Sequence, residues 1–265
     1  MSEGLRELEA ARERLASREG TYGRSLTLVA ETGSTNDDAR AAADAGAPRG
    51  HVVVADAQRS GRGARGSVWS SPAGRDLYVS IVERVSLTPR ALSVLTLAVG
   101  LGVRDACVSI LGPHAERSVT VKWPNDVRVA GRKCAGILVE SSSVGERIGP
   151  IVIGIGLDVN RDAWPDALRE IATSLAAVRG APIDRAEALL TLLACVEARV
   201  ELLVHEGPEA IVRALRPHLA WVGERVRVDA IEGVLEGIDD EGVLLVRQSN
   251  GEVVRARSGT LRLLG

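Results

Sequence analysis

The sequence contains no phenylalanine, and aromatic residues make up only 2% of its 265 residues. Alanine, valine, leucine and isoleucine must therefore fill the interior, which they can do because the apolar content is an ordinary 45%. The net charge is also small, at -2, so the chain has no general electrostatic attraction to nucleic acids or membranes. Any site for an anion must come from cations that are clustered locally.

Cysteine and histidine are scarce as well. Cys107, Cys134 and Cys195 lie far apart without a C-x-x-C pair, and their odd number argues against a complete disulfide framework. None of the four histidines has an i,i+4 partner or a nearby cysteine, which argues against a structural zinc site. The charged N-terminus lacks the apolar core of a signal peptide, and we expect no later run to approach a membrane span. The sequence therefore predicts a cytoplasmic protein.

Apolar periodicity predicts an α/β chain of the α+β type, in which a mixed β-sheet is covered by helices. Buried-strand patterns occur at 26–31, 51–57, 76–85, 119–129, 133–141 and 151–159. Helical spacing occurs at 5–20, 34–46, 88–111 and 165–218. We expect strand 119–129 to carry a bulge at its proline and to form a hairpin with 133–141, and the helices of 165–218 to cover the sheet. After Trp221, short alternating segments at 225–228, 233–238, 243–247 and 252–256 predict the strands of a small β-barrel, so the length fits one large domain and one small one.

The stretch Gly61-Arg62-Gly63-Ala64-Arg65-Gly66 packs three glycines and two arginines between two predicted strands. Glycine lets backbone amides approach a ligand, and the guanidinium group offers a rigid fork of donors for phosphate or carboxylate. A solvated turn would use the same residues. The glycines match G-x-G-x-x-G, but a dinucleotide site requires the last glycine to open a helix. Pro72 and Gly74 interrupt the chain that follows, which argues against such a site.

Polar side chains gather in loops and at the ends of the predicted strands. They are Ser34, Thr35, Gln58, Arg62, Arg65, Lys122, Asn125, Asp126, Lys133 and Asp158. Ser34 and Thr35 could serve only as helix caps, and Asp126 could simply pair with Lys122 across a hairpin. There is no G-x-S-x-G serine and no cysteine at a readable spacing from a histidine, so covalent catalysis is poorly supported. Cations together with a carboxylate that can hold Mg²⁺ are what attack on an ATP phosphate requires.

Four segments in this order and spacing resemble the biotin protein ligases. They are GRGARGSVWSSPAGRDLYVS, KWPNDV, RKCAGILVE and IGIGLDVN. The resemblance covers 26–160 strongly and the rest by arrangement. It implies a biotin/lipoate ligase-like catalytic domain at 25–219 and an SH3-like β-barrel at 220–265, preceded by an N-terminal helical extension at 1–24. It also implies that biotin and ATP, with Mg²⁺, form biotinyl-5'-AMP, and that biotin then passes to a lysine of a biotin carboxyl carrier protein.

The resemblance further implies roles for individual residues. Those expected to bind biotin are Ser34, Thr35, Asn36, Gln58, Gly61, Arg62, Trp69, Lys133 and Gly136. Those expected to bind ATP or the adenylate are Arg62, Arg65, Trp69, Lys122, Asn125, Lys133, Asp158 and Asn160. Lys133 and Arg62 would be the catalytic residues, Asp126 would be the Mg²⁺ ligand, and Gly61 to Gly66 would form a lid over the intermediate.

Two positions depart from the pattern that is usual in the family. Ala64 stands where a second arginine is usual, and Asp158 stands where asparagine is common. We expect the missing cation to weaken the hold on the adenylate. The resemblance leaves open whether Asp158 or Asn160 contacts the nucleotide.

Two other functions remain as alternatives. A lipoate or octanoate ligase or transferase would share the fold, although Lys122-Trp123-Pro124-Asn125-Asp126 favours biotin, and a non-catalytic nucleotide-binding regulatory protein would bind without turnover. Some members of the family carry an N-terminal DNA-binding domain, but one short helix and the absence of a basic face predict no contact with nucleic acid. Members of the family can pair edge to edge through their sheets, so a homodimer is possible.

Overall fold

The computed structural model describes residues 3–85, 87–144 and 147–264. The chain forms a seven-stranded mixed β-sheet with helices on both faces, followed by a separate five-stranded antiparallel sheet. This architecture confirms the predicted α+β class with a small β domain at the C-terminal end. The chain completes the large domain before it enters the C-terminal sheet.

The large sheet contains seven strands. They are β1 (Leu26–Thr32), β2 (Val52–Gln58), β3 (Leu77–Glu83), β4 (Val119–Lys122), β5 (Asp126–Val129), β6 (Arg132–Val144) and β7 (Arg147–Leu157). Their spatial order is β1-β2-β3-β7-β6-β5-β4, in which only β1 and β2 run parallel to each other. Strand β3 is buried along its whole length, as expected for a near-continuous apolar run with packed layers on both faces.

The expectation of one continuous strand over 119–129 is wrong. The chain reverses between β4 and β5, so that Lys122 pairs with Asp126 in the antiparallel register. Pro124 has no N–H to donate to a ladder, and the segment therefore forms a turn instead of a bulged strand. This turn places Asn125 and Asp126 beside β6.

Residues 3–85, 87–144 and 147–264 contain seven α-helices. They are α1 (Glu3–Ser17), α2 (Thr35–Asp44), α3 (Pro89–Leu111), α4 (Asp166–Arg169), α5 (Leu175–Arg179), α6 (Arg185–Glu206) and α7 (Pro208–Leu215). Helix α3 packs on β4, β5 and β6, and α6 packs on α3 and α1. The opposite face is covered by α2, whose Ala39 and Ala43 meet Val53, Val82 and Val152. Helix α6, the longest helix within 165–218, therefore packs against α3 as an outer layer. The sequence predicts instead that the helices of 165–218 lie directly on the sheet.

Helix α3 corrects one expectation about membranes. By length and composition it could cross a bilayer, although the sequence predicted no run of that kind. In the fold, 72% of its most apolar window is buried inside the protein, and Val94, Leu95 and Val99 belong to the main core. Thr88 caps the helix, accepting a hydrogen bond from the Ala91 amide at 3.2 Å. Packing between the sheet and α6 thus accounts for the apolar surface of α3.

Helix α1 has the predicted amphipathic pattern, and it packs into the main core. Leu8, Ala11 and Leu15 are fully buried. Arg185, which is also fully buried, donates from Nε to Glu7 Oε2 of α1 at 2.8 Å and from Nη1 to Asp56 Oδ1 of β2 at 2.9 Å. One guanidinium group therefore links α1, β2 and α6.

The C-terminal sheet contains five strands. They are β8 (Arg225–Val228), β9 (Ile231–Ile238), β10 (Leu244–Arg247), β11 (Val253–Ala256) and β12 (Leu261–Leu263). The sequence predicted the first four and missed β12, which is only three residues long and mostly exposed. Several hydrogen bonds join this sheet to the large domain. Near the cavity, Trp123 Nε1 donates to Gly242 O at 3.1 Å, and Arg65 Nη1 donates to Thr260 Oγ1 at 2.6 Å. The C-terminal sheet therefore contacts both the 123–125 turn and the Gly61–Gly66 loop.

Candidate active site

A cavity of about 460 Å³ lies where β2, β6 and β7 meet the Gly61–Gly66 loop and the C-terminal sheet. This volume suits a small organic ligand. Of the residues predicted from the sequence to form the site, all except Gly61 and Asn160 line the cavity. The fold therefore brings together segments that are separated by more than a hundred residues.

One end of the cavity is a network of hydroxyl and amide groups around the start of α2. Ser34 occupies the cap position but makes no side-chain capping bond, so capping does not account for its hydroxyl. Gln58 Oε1 instead accepts from the Thr35 amide at 2.9 Å and from the Thr35 hydroxyl at 3.1 Å. Gln58 Nε2 donates to Ser71 Oγ at 2.8 Å. The polar groups at this end are thus held in fixed positions.

The network continues through two residues that sequence reasoning missed. The Ser80 hydroxyl lies 2.8 Å from Thr35 Oγ1 and 2.6 Å from Asn36 Oδ1, and Asn36 Nδ2 donates to Glu140 Oε2 at 2.6 Å. Gly154 lies beneath Asn36, where a side chain would overlap the amide. The available signal was a polar residue within an apolar strand: Ser80 in LYVSIVE and Glu140 at the end of the apolar part of β6.

The Gly61–Gly66 loop folds back on the chain that follows it. The Trp69 amide donates to Gly61 O at 2.9 Å, and the Gly63 amide donates to Ser67 O at 2.7 Å. Ala64–Gly66 form a single 3-10 turn, and β3 is the next regular element. This agrees with the argument against a dinucleotide site. Gly61 itself lies beneath the loop, where a Cβ would be only 2.7 Å from Ser71 Oγ, so it shapes the loop without lining the cavity.

Both arginines of the loop have protein partners. Arg62 forms a two-pronged ion pair with Asp37, at 2.6 and 2.8 Å, and lies 3.4 Å from Glu140. Arg65 is held by Thr260, with Asp229 at 3.8 Å. The hydrogen bonds from Arg62 lower the pKa of Asp37, so the carboxylate stays charged at neutral pH.

Trp69 lies on a pair of glycines. Gly136 of β6 and Gly156 of β7 are direct cross-strand partners, and a Cβ at Gly136 would lie 2.8 Å from the Trp69 ring. A Cβ at Gly156 would overlap the indole outright. The Lys133 ammonium group lies 5.2 Å from the centre of the ring, within range of a cation–π interaction. The two glycines therefore create the space for Trp69 on the floor of the cavity.

Two lysines share one carboxylate. Lys133 Nζ lies 2.6 Å from Asp126 Oδ1, and Lys122 Nζ lies 3.1 Å from Asp126 Oδ2. The pairing of Asp126 with Lys122 that the sequence left open is thus present. Asn125 is fixed by a 3.0 Å hydrogen bond to Ile137 O. Among the described residues, no group of three histidine, cysteine or acidic side chains could hold a metal ion.

The structure distinguishes Asp158 from Asn160. Asn160 exchanges two hydrogen bonds with the Ile183 backbone, at 2.7 and 2.9 Å, and does not line the cavity. Its amide is therefore committed to the fold. Asp158 is 4% exposed and lines the cavity. Burial, reinforced by the nearby charge of Asp76, raises the pKa of Asp158 to about 8.

The segment after β7 supplies wall residues of the cavity, and the sequence places two of them, Leu168 and Ile171, in a covering helix. Trp164, Leu168 and Ile171 line the cavity, and Ile171 is 54% exposed. Only one helical turn, α4, forms here, because the chain must pass close to β6. The Lys133 amide donates to Ile171 O at 2.7 Å. The helical spacing of Leu168, Ile171 and Leu175 predicts a helix here and gives no sign that these residues form a wall of the cavity.

Comparison with known proteins identifies the class to which this fold and cavity belong. Residues 32–158 match the Biotin/lipoate A/B protein ligase family, and residues 222–260 match the Biotin protein ligase C terminal domain. The biotin protein ligase from Aquifex aeolicus, solved in complex with biotin and ATP, superposes with a TM-score of 0.78 at 28% identity. The superposition covers 91% of this chain and all of that one.

Two curated relatives resemble this chain over most of its length. The biotin–(acetyl-CoA-carboxylase) ligase of Mycobacterium tuberculosis is 34% identical over 252 residues, covering 92% of this chain and 91% of its own. The ligase of the same name from Paracoccus denitrificans is 36% identical over 237 residues, covering 86% of this chain and 96% of its own. This chain belongs to the biotin protein ligase family.

Proposed function

We propose that this protein activates biotin with ATP and transfers the biotinyl group to a lysine of a biotin carboxyl carrier domain. The observation that carries the proposal is that one cavity combines a neutral hydrogen-bonding end, around Gln58, with a cationic region around Lys133. A substrate with a polar, uncharged ring and a reactive carboxylate requires this combination. The proteins that this chain resembles are named as ligases of biotin to acetyl-CoA carboxylase.

The reaction has two steps. A biotin carboxylate oxygen attacks the α-phosphorus of ATP, the bond from that phosphorus to the bridging oxygen breaks, and pyrophosphate leaves. In the second step the lysine amine of the carrier attacks the acyl carbon of biotinyl-5'-AMP, AMP leaves with the bonding pair, and the amine loses a proton as the amide forms. Neither step requires a covalent bond to the protein, in agreement with a site that offers positioning and charge.

At the neutral end, Ser34, Thr35, Asn36 and Gln58 would bind the ureido ring of biotin. Their hydroxyl and amide groups can donate and accept, and a buried polar ring must have such partners. Because Thr35 and Gln58 already fix each other, little side-chain entropy would be lost when biotin binds. Gly136 would line the floor beneath the Trp69 ring, and the ring would pack against the ligand.

At the cationic end, Lys133 and Arg62 would neutralise the charge that builds on the α-phosphoryl group. Arg65, Lys122 and Asn125 would contribute to nucleotide binding. In the ligand-free arrangement Lys133 pairs with Asp126 at 2.6 Å, so the lysine must exchange that partner for the substrate. Gly61 and Asn160 receive no direct role, since neither lines the cavity.

Mg²⁺ would arrive as part of the substrate MgATP. Magnesium sites in nucleotide enzymes commonly use one or two carboxylates together with phosphate oxygens. Asp126 is the carboxylate that fits this description in the cavity, but its two lysine partners, at 2.6 and 3.1 Å, compete for its oxygens. We therefore assign the metal chiefly to the phosphates, with Asp126 as a single protein ligand once Lys133 has turned to the substrate.

The carrier and the domain division are part of the same proposal. We assign the acceptor lysine to a biotin carboxyl carrier domain. We keep residues 25–219 as the catalytic domain, 220–265 as the C-terminal barrel and 1–24 as a helical extension. The family match at 32–158 falls inside 25–219, and the match at 222–260 falls inside 220–265.

Biotin-dependent exchange of labelled pyrophosphate into ATP tests the proposal. Wild type should catalyse exchange with biotin and not with lipoate, and Lys133→Ala should reduce the rate by about 100-fold or more, the scale on which preorganised charge acts. Exchange with lipoate alone would favour the lipoate ligase, and nucleotide binding without exchange would favour the regulatory protein. Full exchange in Lys133→Ala would contradict only the role of that lysine.

A further inference from the structure

Trp221 lies between α7 and β8, where the chain passes from the helices of the large domain to the C-terminal sheet. Its φ is 68°, in the left-handed region that a bulky residue rarely adopts, so the surrounding structure must fix this conformation. Hydrogen bonds hold the backbone on both sides. The Ala220 amide donates to Val121 O at 2.9 Å, and the Glu224 amide donates to Trp221 O at 3.0 Å. The connection is therefore attached to β4, the last strand of the large sheet.

The indole of Trp221 packs over two cations of the β4–β5 hairpin. Lys122 Nζ lies 5.4 Å from the centre of the ring, and Arg128 Cζ lies 4.8 Å from it. Both distances are within range of a cation–π interaction, for which tryptophan is the strongest side chain. Lys122 and Arg128 share one face of the hairpin, because Lys122 pairs directly with Asp126, two positions before Arg128. The ring therefore covers the cationic face of this hairpin.

Lys122 connects the ring to the cavity. Its ammonium group lies 3.1 Å from Asp126 Oδ2, and its side chain, which is only 17% exposed, lines the cavity. An ammonium group has three donors, so Lys122 can hold Asp126 and still meet a phosphate oxygen. Arg128, the other cation on the ring, is not among the described residues that line the cavity. The two cations on the ring therefore differ in their access to a ligand.

The flexibility of lysine gives the ring contact a consequence for binding. A free lysine side chain samples many rotamers, and fixing it costs more conformational entropy than fixing most side chains. Asp126 and the Trp221 ring already restrict Lys122 from two directions. The entropy is thus lost on folding, and it does not have to be lost again when a ligand binds.

We propose that Trp221 is a positioning residue for the nucleotide, which holds the Lys122 ammonium group where it meets the phosphates of ATP. Trp221 is not among the described residues that line the cavity, so it acts through Lys122 and touches no substrate. When Lys133 turns from Asp126 to the substrate, Lys122 stays as the partner of that carboxylate, and the ring keeps it there. The assignment rests on the proposed function, because it takes the ligand to be ATP.

The separate KM values for ATP and biotin test the proposal. Biotin-dependent pyrophosphate exchange would be measured in wild type, Trp221→Leu and Trp221→Phe. Trp221→Leu keeps an apolar side chain without a ring, and its KM for ATP should rise about three- to tenfold, the scale of a partly desolvated cation–π contact. Trp221→Phe keeps a ring face, so its KM for ATP should stay within about threefold of wild type. The KM for biotin should be the same in all three proteins.

A structural role alone would give a different result. Damage to the fold would raise both KM values, and phenylalanine would not restore the KM for ATP. An unchanged KM for ATP in Trp221→Leu, or an equal rise in the KM for biotin, would overturn the proposal while leaving exchange in support of the proposed function. Trp221→Met, which also fills space without a ring, replaces Trp221→Leu if that variant does not fold.

Arg128→Met is the matched control, because it removes the other cation from the same ring. Its KM for ATP should stay within about twofold of wild type. Trp221→Leu should also add nothing to the KM for ATP once Lys122 has been replaced by methionine, since contacting residues are not additive. A rise in Arg128→Met as large as that in Trp221→Leu, or a full further rise on the Lys122→Met background, would show that the ring does not act through Lys122.

Calorimetry separates this proposal from the proposed function if no exchange is found. The Kd of α,β-methylene ATP with Mg²⁺, in the presence of biotin, would be measured for the same set of proteins. A Kd that rises about three- to tenfold in Trp221→Leu, but not further on the Lys122→Met background, would support the role of Trp221 and contradict the ligase activity. Equal Kd values for wild type and Trp221→Leu, or no binding by wild type, would contradict the role of Trp221.

Discussion

Arg62 and Asp37 are joined by two hydrogen bonds, from Nη1 at 2.6 Å and from Nη2 at 2.8 Å. The guanidinium group that we expect to meet the biotin carboxylate and the phosphate is therefore already paired with a carboxylate at the start of α2. The same hydrogen bonds hold the pKa of Asp37 below its usual value, so the pair persists at neutral pH. An anionic ligand must displace Asp37 in order to reach Arg62.

Replacing Asp37 by asparagine should strengthen ligand binding. The side chains of Arg62 and Asp37 are 38% and 64% exposed, and a pair of this kind contributes roughly 0.2–1 kcal/mol. We expect the Kd for a non-hydrolysable biotinyl-adenylate analogue to fall by about two- to fivefold, as measured by calorimetry.

Asp38→Asn is the matched control, because Asp38 lies one position further along the first turn of α2 and carries the same charge near the helix N-terminus. It should leave the Kd unchanged. If both variants lower the Kd equally, the effect comes from the general loss of negative charge and not from the Arg62 ion pair.

The sequence predicted the strands of the large sheet apart from the turn between β4 and β5, and it predicted many of the polar residues that line the cavity, because local patterns and four ordered segments carry that information. It could not predict the partners of those residues. Arg62 was expected to be free for an anion, yet Asp37 and Glu140 meet it from two different elements. Such contacts depend on the register between α2, the loop and β6, which no local pattern specifies.

Gly156→Ala should damage the cavity, because the new methyl group would overlap the indole of Trp69. The ring must leave the glycine pair, and we expect the KM for biotin to rise by about tenfold and the free energy of unfolding to fall by about 1–3 kcal/mol, as for other overpacked sites. Exchange kinetics and urea denaturation would measure the two effects.

Gly33→Ala controls for the loss of a glycine, since a Cβ there meets nothing within 4 Å. Its unfolding free energy should change by less than about 0.5 kcal/mol. The double variant Gly156→Ala with Trp69→Leu should be less destabilised than the sum of the two single variants. Additive effects would show that the indole is not what the methyl group displaces.

Ala64→Arg should slow the release of biotinyl-5'-AMP. Ala64 lines the cavity beside Arg62 and Arg65, so a third cation on the loop would add attraction for the phosphate of the intermediate. We expect the half-life of the bound adenylate to lengthen about three- to tenfold in stopped-flow or filter-release measurements. Ala64→Gln adds length without charge and should release the adenylate as wild type does. Equal release rates from wild type and Ala64→Arg would refute the prediction.

The sequence also did not predict the contact between the Gly61–Gly66 loop and the C-terminal sheet. Arg65 and Thr260 are separated by 195 positions along the chain, yet they share a 2.6 Å hydrogen bond. The sequence indicated a small barrel by its alternation but contained nothing that placed it against the loop. Strand β12, which follows Thr260, was itself too short to give a recognisable pattern.

Asp158 should make stability depend on pH in a direction opposite to that of most carboxylates. Its pKa is about 8 in the fold, against 3.8 as the ordinary value. Below pH 4 both the folded and the unfolded chain carry the proton, so the contribution of Asp158 is fully present. Between these values the unfolded chain loses the proton while the folded chain keeps it, and above about 8 the contribution is lost.

The unfolding free energy of wild type minus that of Asp158→Asn should therefore fall as the pH rises from 5 to 8, by at most about 1.4 kcal/mol per unit, and then level off. Urea denaturation of both proteins across pH 5–9 measures this difference, and the subtraction removes the other titrating groups. Parallel stability curves for the two proteins would show that Asp158 is ionised throughout this range.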